Sequence, residues 1–222
     1  MSYSLRDRNA LITGGSRGLG ALVAQKFAAE GCNVAINYMS SKDAAEKLAS
    51  ELQAQYKVKV ITVQGVGPPI ISTGTNADGF GLQDASRKDD CINAVRTTIA
   101  QLGGLDIVVS NAGWTKMTNF ADLDAMDDDD WDKCWTTNVK GHFYLFKEAL
   151  PTFNANPDGG LHLIKCLAQS QGRKVRVNAV LPGLLLTEWP EVEDTANAFV
   201  MLAKNASMTG QGIQIDSGFA IK

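Results

Sequence analysis

The sequence predicts one doubly wound α/β domain spanning residues 1–222, a mainly parallel sheet with helices on both faces. Three observations carry this reading. Short apolar runs alternate with segments whose apolar residues recur at helical spacing. The first of those runs empties into a glycine-rich turn that opens a helix. The 222 residues, 45% hydrophobic and 20% charged, suffice for one sizeable core and do not resemble a disordered chain or a coiled coil.

Ala10 to Thr13 form the first strand, ended by Gly14-Gly15, and Leu19 to Ala29 the first helix. Asn33 to Tyr38, helix Lys42 to Gln55 and Val58 to Val63 continue the alternation. Helix Ser86 to Leu102 passes through Gly103-Gly104 into a fourth strand, Leu105 to Ser110, and a long helix covers Asp128 to Leu150. Val175 to Val180, a helix from Glu191 to Lys204, and Gly212 to Asp216 complete the series. Two places break it. Val66 to Gln83 (residues 66–83) holds four glycines and two adjacent prolines, far longer than the ~2 to 6 residues usual between strand and helix, and reads as an inserted loop. After the long helix, PTFNANPDGG runs directly into LHLIKCLAQSQG, so the fifth strand is expected to be deleted, with exposed edges that promote association between chains.

Composition excludes several functions. With 21 Lys+Arg against 24 Asp+Glu the net charge is −3, which gives no basic field for nucleic acid. No apolar run is long enough for a membrane helix, and no apolar leader opens the chain, so a cytoplasmic protein with no membrane partner is expected. Cys32, Cys91, Cys134 and Cys166 stand at least 32 positions apart and form neither a metal pattern nor a disulfide framework. His142 and His162 have no partner at metal spacing, and Asp127 to Asp130 suit a helix start, so no metal site is expected. Trp131 and Trp135, one turn apart, are expected to pack, and Phe199 and Met201 to face the core.

Thr13-Gly14-Gly15-Ser16-Arg17-Gly18-Leu19-Gly20 places glycines where a tight turn, a close approach of backbone to pyrophosphate, and close helix packing require them. Free N–H groups at the helix start would receive the phosphates, as in a Rossmann-type domain. This string, Asn111-Ala112-Gly113 after the fourth strand, Asn138 in WTTNVKGHF, and VRVNAVLPGLLLT resemble, in order, the short-chain dehydrogenases/reductases. The resemblance implies an oxidoreductase acting on a small-molecule carbonyl or alcohol, with Gly14, Ser16, Arg17, Gly18, Leu19 and Gly20 on the dinucleotide. It also implies Asp84 near the adenine, Asn111, Ala112 and Gly113 beside the adenosine ribose, and Pro182, Gly183 and Thr187 at the nicotinamide. Asn138 would anchor a water in a proton relay. A homo-oligomer is the family's habit, one that a shortened chain puts in doubt.

Cofactor choice follows from charge. An acid at the end of the second strand would bind the ribose and repel a 2′-phosphate. This chain instead has Asn37-Tyr38-Met39-Ser40-Ser41-Lys42, with no acid before Asp43 and Arg17 inside the glycine turn. Asn37, Ser40, Ser41 and the cation suit a phosphate, so NADP(H) is favoured over NAD(H).

In the family a tyrosine is the proton donor, tuned by a lysine four residues later, and a serine holds the substrate carbonyl. The only tyrosines are Tyr3, Tyr38, Tyr56 and Tyr144, followed four residues on by Asp7, Lys42, Val60 and Glu148. Tyr38 and Lys42 match by spacing alone, on the adenosine side. The Ser and Tyr-x-x-x-Lys segment is therefore missing after Gly160, and a shorter one after Trp189. Excising Val66 to Gln83 restores a strand leading into a helix cap. Valine codons begin GT and a glutamine codon can be CAG, so the insertion is compatible with an intron read as protein. Two alternatives to a defective reductase stay open: a non-enzymatic dinucleotide binder, and a misspliced product without stable function.

Overall fold

The computed structural model describes residues 3–65, 82–119, 122, 124–155, 160–162, 175–182 and 191–216. The elements are β1 (Asn9–Ile12), α1 (Gly18–Ala29), β2 (Asn33–Tyr38), α2 (Lys42–Tyr56), β3 (Val60–Gln64), α3 (Leu82–Leu102) and β4 (Ile107–Val109). They continue as α4 (Asp128–Trp135), a π-helical segment (Thr136–Lys140), α5 (Gly141–Ala155), β5 (Gly160–His162), β6 (Val175–Val177), β7 (Ala179–Pro182), α6 (Glu191–Lys204) and β8 (Gly212–Ile215). Six strands form one sheet in the order β3-β2-β1-β4-β5-β6, and β7 pairs with β8. Every pairing is parallel.

Period-two alternation explains the two layers. Ala10, Ile12, Val34, Ile36, Ile107 and Val109 point to one face and are buried with Val23 and Phe27 of α1, Leu52 of α2 and Leu202 of α6. Leu11, Ala35 and Val108 point to the other, with Val95 of α3 and Leu145, Ala149 and Phe153 of α5. β1, β2 and β4 are nearly all apolar because each is covered on both faces. Among the described residues no helix is long and apolar enough to cross a membrane.

The fifth strand is present, contrary to expectation. Gly160–His162 lies between β4 and β6, with Leu161 opposite both Ile107 and Arg176. The far side of β6 is also covered: Gly210 N donates to Val177 O (2.7 Å) and Val177 N to Thr209 Oγ1 (3.1 Å). Among the described residues β5 therefore closes the gap expected between β4 and β6, and the outer edge of β6 is covered at Val177. Only residues 163–174 connect β5 to β6, close to the minimum of about a dozen for a parallel crossover.

Other boundaries shift for local reasons. α3 begins at Leu82, so the last two residues of the expected loop are already helical. The strand expected over 175–180 divides at Asn178, whose buried amide donates to Met208 O (2.9 Å) and accepts from Gln211 N (3.0 Å), turning the chain toward β8. Arg176 from β6 caps α6, donating to the carbonyls of Leu202 and Ala203, both at 2.8 Å. Asp127 and Asp130 form a capping box at the start of α4. Trp131 and Trp135 do not pack; they are 60% and 59% exposed, and Met201 is 41% exposed while Phe199 is buried.

Candidate functional site: the cleft at the glycine turn

β1 delivers Thr13 to the centre of the sheet's C-terminal edge, where it is fully buried. Its hydroxyl oxygen accepts from the backbone N–H groups of Asn111 and Ala112, each at 3.0 Å. The Asn111 side chain donates back to Thr13 O (3.0 Å), so the turn after β4 and the turn after β1 form one hydrogen-bonded unit. Gly14 turns with φ +63° and Gly18 with φ +54°, conformations that favour glycine. Gly20 faces this unit so closely that a Cβ would lie 2.2 Å from Gly14 O and 2.7 Å from Asn111 Nδ2. Arg17 caps α1 with extended backbone and no side-chain bond to the helix, leaving the first N–H groups of α1 directed to the cleft mouth.

A cavity of about 550 Å³ opens over these parts. It brings together Gly14, Ser16, Arg17, Gly18, Leu19 and Gly20 with Ser40 and Ser41 after β2 and Asn111, Ala112 and Gly113 after β4. Sequence reasoning omitted Tyr38 and Met39, which also line it. No carboxylate is among the described lining residues, and Arg17 is exposed at the rim. Gly14 and Gly20 let the turn, the segment after β4 and the start of α1 close on one another, and the N–H groups left at that helix start suit the phosphates of a dinucleotide.

Asn37 does not line the cavity. It is fully buried and donates to Val63 O (3.0 Å) and to Gly65 O, tying β2 to β3, while its backbone oxygen accepts from Gly15 N (2.9 Å). It shapes the turn from below. Lys42 pairs with Glu46 at 3.6 Å on the exposed face of α2. Pro182 ends β7 with its side chain exposed, and Gly183 and Thr187 lie outside the described residues. Asp84 lies in the first turn of α3, its side chain outside the described set.

Asn138 sits in the π-helical segment, where one extra residue per turn swings it toward the loop after Gly113. Its Oδ1 accepts from Trp114 N (2.9 Å) and its Nδ2 donates to Trp114 O (2.8 Å), a clamp on the backbone N–H and C=O of one residue. Lys133 Nζ lies 4.1 Å from the Trp114 ring centre, and Lys116 pairs with Asp130 at 2.5 Å. Beneath the cleft, Ser110 Oγ is hydrogen-bonded to His142 Nδ1, and burial pushes the His142 imidazole below its ordinary value. Spacing gave no hint of that pair.

A wider groove of about 720 Å³ runs between α1 and α6, lined by Lys26, Glu30 and Lys204. Its charges are spent internally, Lys26 on Glu193 and Lys204 on Glu30 (2.9 Å). Among the described residues no group of three or more His, Cys, Asp or Glu is placed to hold a metal ion.

The sequence model of the short chain dehydrogenase family matches residues 8–65 and 79–161. A 3-oxoacyl-(acyl-carrier-protein) reductase of Staphylococcus epidermidis is 27% identical over 263 aligned positions, covering 96% of this chain and 98% of the relative. Those positions outnumber the 222 residues here, so the relative carries segments without a counterpart in this chain. A short-chain dehydrogenase/reductase of Pestalotiopsis microspora is 30% identical, covering 84% of this chain and 72% of the relative. Among solved structures, a short-chain dehydrogenase/reductase from Serratia marcescens superposes with a TM-score of 0.79 at 25% identity, covering 98% of this chain and 100% of that one. A short chain dehydrogenase of Burkholderia cenocepacia in complex with NADP gives 0.75 at 23%, covering 96% and 98%. The glycine turn, its lock onto the segment after β4 and these matches agree: the chain belongs to the short-chain dehydrogenase/reductase family of oxidoreductases.

Proposed function

We propose that this chain binds a nicotinamide dinucleotide in the cleft at the glycine turn, NADP(H) in preference to NAD(H), and that it is catalytically defective as a carbonyl reductase or alcohol dehydrogenase. The carrying observation is the cavity of about 550 Å³ with Arg17 at its rim and no carboxylate among its described lining residues. Ser16 and the start of α1 would hold the pyrophosphate, and Arg17, Ser40 and Ser41 the 2′-phosphate. Thr13 behind the cleft and Asn111 in its wall would fix the turn. Pro182, Gly183, Thr187 and Asp84 take their roles by resemblance. The bound dinucleotide would supply the hydride.

What the chain lacks is the proton. No tyrosine is followed by a lysine four residues later except Tyr38, which lies on the adenosine side of the cavity. Asn138 is the remaining member of the family's catalytic set, and positioned acid catalysis is worth about 10²- to 10⁴-fold. Calorimetry with NADP⁺ and NAD⁺, followed by NADPH oxidation against a panel of aldehydes and ketones, tests both halves. Binding without enzyme-like turnover is expected; protein-dependent turnover that disappears in Asn138→Ala would overturn the defective reading.

A second reading concerns the gene. The family match breaks off between residues 65 and 79, inside the stretch read as inserted, and ends at Leu161, where the serine and Tyr-x-x-x-Lys segment would follow. Both gaps support a product carrying an unspliced intron and lacking a catalytic exon segment. Sequencing the transcript across codons 60 to 90 and 155 to 195 decides it.

A further inference from the structure

We propose that His142 is a positioning residue for the dinucleotide cleft: as a neutral imidazole it holds the Ser110–Ala112 wall against the glycine turn, and protonation releases that wall. The proposal rests on reading the cleft as a dinucleotide site. His142 is the second residue of α5, directly after the π-helical segment that carries Asn138. Its Nδ1 meets Ser110 Oγ at the end of β4. The next two residues, Asn111 and Ala112, donate their N–H groups to Thr13 Oγ1, and the Asn111 amide donates to Thr13 O, all at 3.0 Å. One hydrogen-bonded path thus runs from the imidazole to the residue before Gly14.

The described residues that line the space beside His142 offer no charge to balance a protonated ring. With Ser110 it borders a cavity of about 10 Å³, lined also by Thr13 at the end of β1, Cys91 of α3, Ala112 after β4, Thr137 of the π-helical segment, and Gly141 and Leu145 of α5. Among these described residues Cys91 is the only other titratable group, and no carboxylate or cation faces the ring. The space is at the lower limit for a single water. A neutral ring in its Nε2–H tautomer accepts the Ser110 hydroxyl at Nδ1; a protonated ring has donors only, so from that tautomer the hydroxyl must reverse and the new charge must find solvent. Burial depresses the pKa of His142. Folding and dinucleotide binding therefore both favour the neutral ring. Their contribution is full above the ordinary histidine range and is lost as pH falls through the lowered pKa.

The test begins on the ligand-free protein. Nuclear magnetic resonance should show the His142 ring and the Asn111 and Ala112 amides titrating with one common midpoint below the ordinary histidine value. Calorimetry at about pH 7.5 and about pH 5.5 should then show NAD⁺ and NADP⁺ both weakened about fivefold at the lower pH, whereas protonation of a 2′-phosphate weakens NADP⁺ alone. His142→Asn keeps a neutral polar group near the Nδ1 position; it should retain affinity at the higher pH and flatten the profile, while His142→Phe loses affinity at both. Amides indifferent to the ring, or an unchanged profile in His142→Asn, would overturn the proposal. Amides that follow the ring in a protein that binds neither dinucleotide would sink the reading of the cleft instead, and leave the control by His142 standing.

Discussion

Gly20 shows how a single residue sets the cleft. The sequence marks it by its place in the glycine string, and the structure supplies the reason, since a Cβ there would overlap Gly14 O. Gly20→Ala should cost about 2 to 3 kcal/mol of stability, the upper range for overpacking, and at least about tenfold in dinucleotide affinity; thermal melts and calorimetry measure both. Arg17 is exposed, so the role proposed for it depends on charge rather than packing. Arg17→Ala should narrow the preference for NADP⁺ over NAD⁺ about tenfold, the scale of one charge-assisted hydrogen bond, and an unchanged ratio would remove the phosphate argument. Asn37 and the Ser110–His142 pair were not legible as they act. Each works through a partner 26 to 32 positions away that only the sheet brings near. Thiol chemistry separates burial from exposure without any ligand. Burial drives the Cys32 thiol far above its usual range, and Cys91 is also buried, whereas Cys134 is partly exposed. Iodoacetamide followed by peptide mapping should modify Cys134 in the native protein and reach Cys32 and Cys91 only on unfolding.

Elements with strong patterns were predicted to within a few residues: β1, β2, α1, α2 and α6 carry long apolar periodicity, and two-sided burial enforces it. β5 was missed because Gly160-Leu161-His162 has neither length nor β-branched residues; its neighbours on both sides make it a strand. Its contribution can be measured. Leu161→Pro removes a ladder donor from the interior of the sheet and should destabilise the protein by about 3 kcal/mol or more. A melting temperature unchanged by that substitution would restore the reading of a sheet without a fifth strand. The π-helical segment was equally invisible, since TTNVK reads as ordinary helix and only the clamp of Asn138 on Trp114 shows what the wider turn achieves.

At the scale of the whole molecule, the alternation of strand and helix sufficed to infer a doubly wound sheet, and the observed order β3-β2-β1-β4-β5-β6 follows from chain reversals on the two sides of β1. β3 ends at Gln64, α3 starts at Leu82, and the family match skips residues 66–78 between them. Loop-closure entropy grows only with the logarithm of length, so removing residues 66–81 and joining Gly65 to Leu82 should change stability by only about 1 kcal/mol through this effect. The join asks more of geometry, because Gly65 has φ +114° and a Cβ there would already lie 3.3 Å from Asp90; Gly65 must therefore be retained. The shortened chain is expected to melt cooperatively at or above the temperature of the full chain, to bind NADP⁺ unchanged, and to remain without turnover. Recovery of turnover on excision alone would place the catalytic defect in the insertion rather than in the missing Tyr-x-x-x-Lys segment. Loss of the cooperative melt would show that residues 66–81 are part of the folded domain, and the intron reading would fall with it.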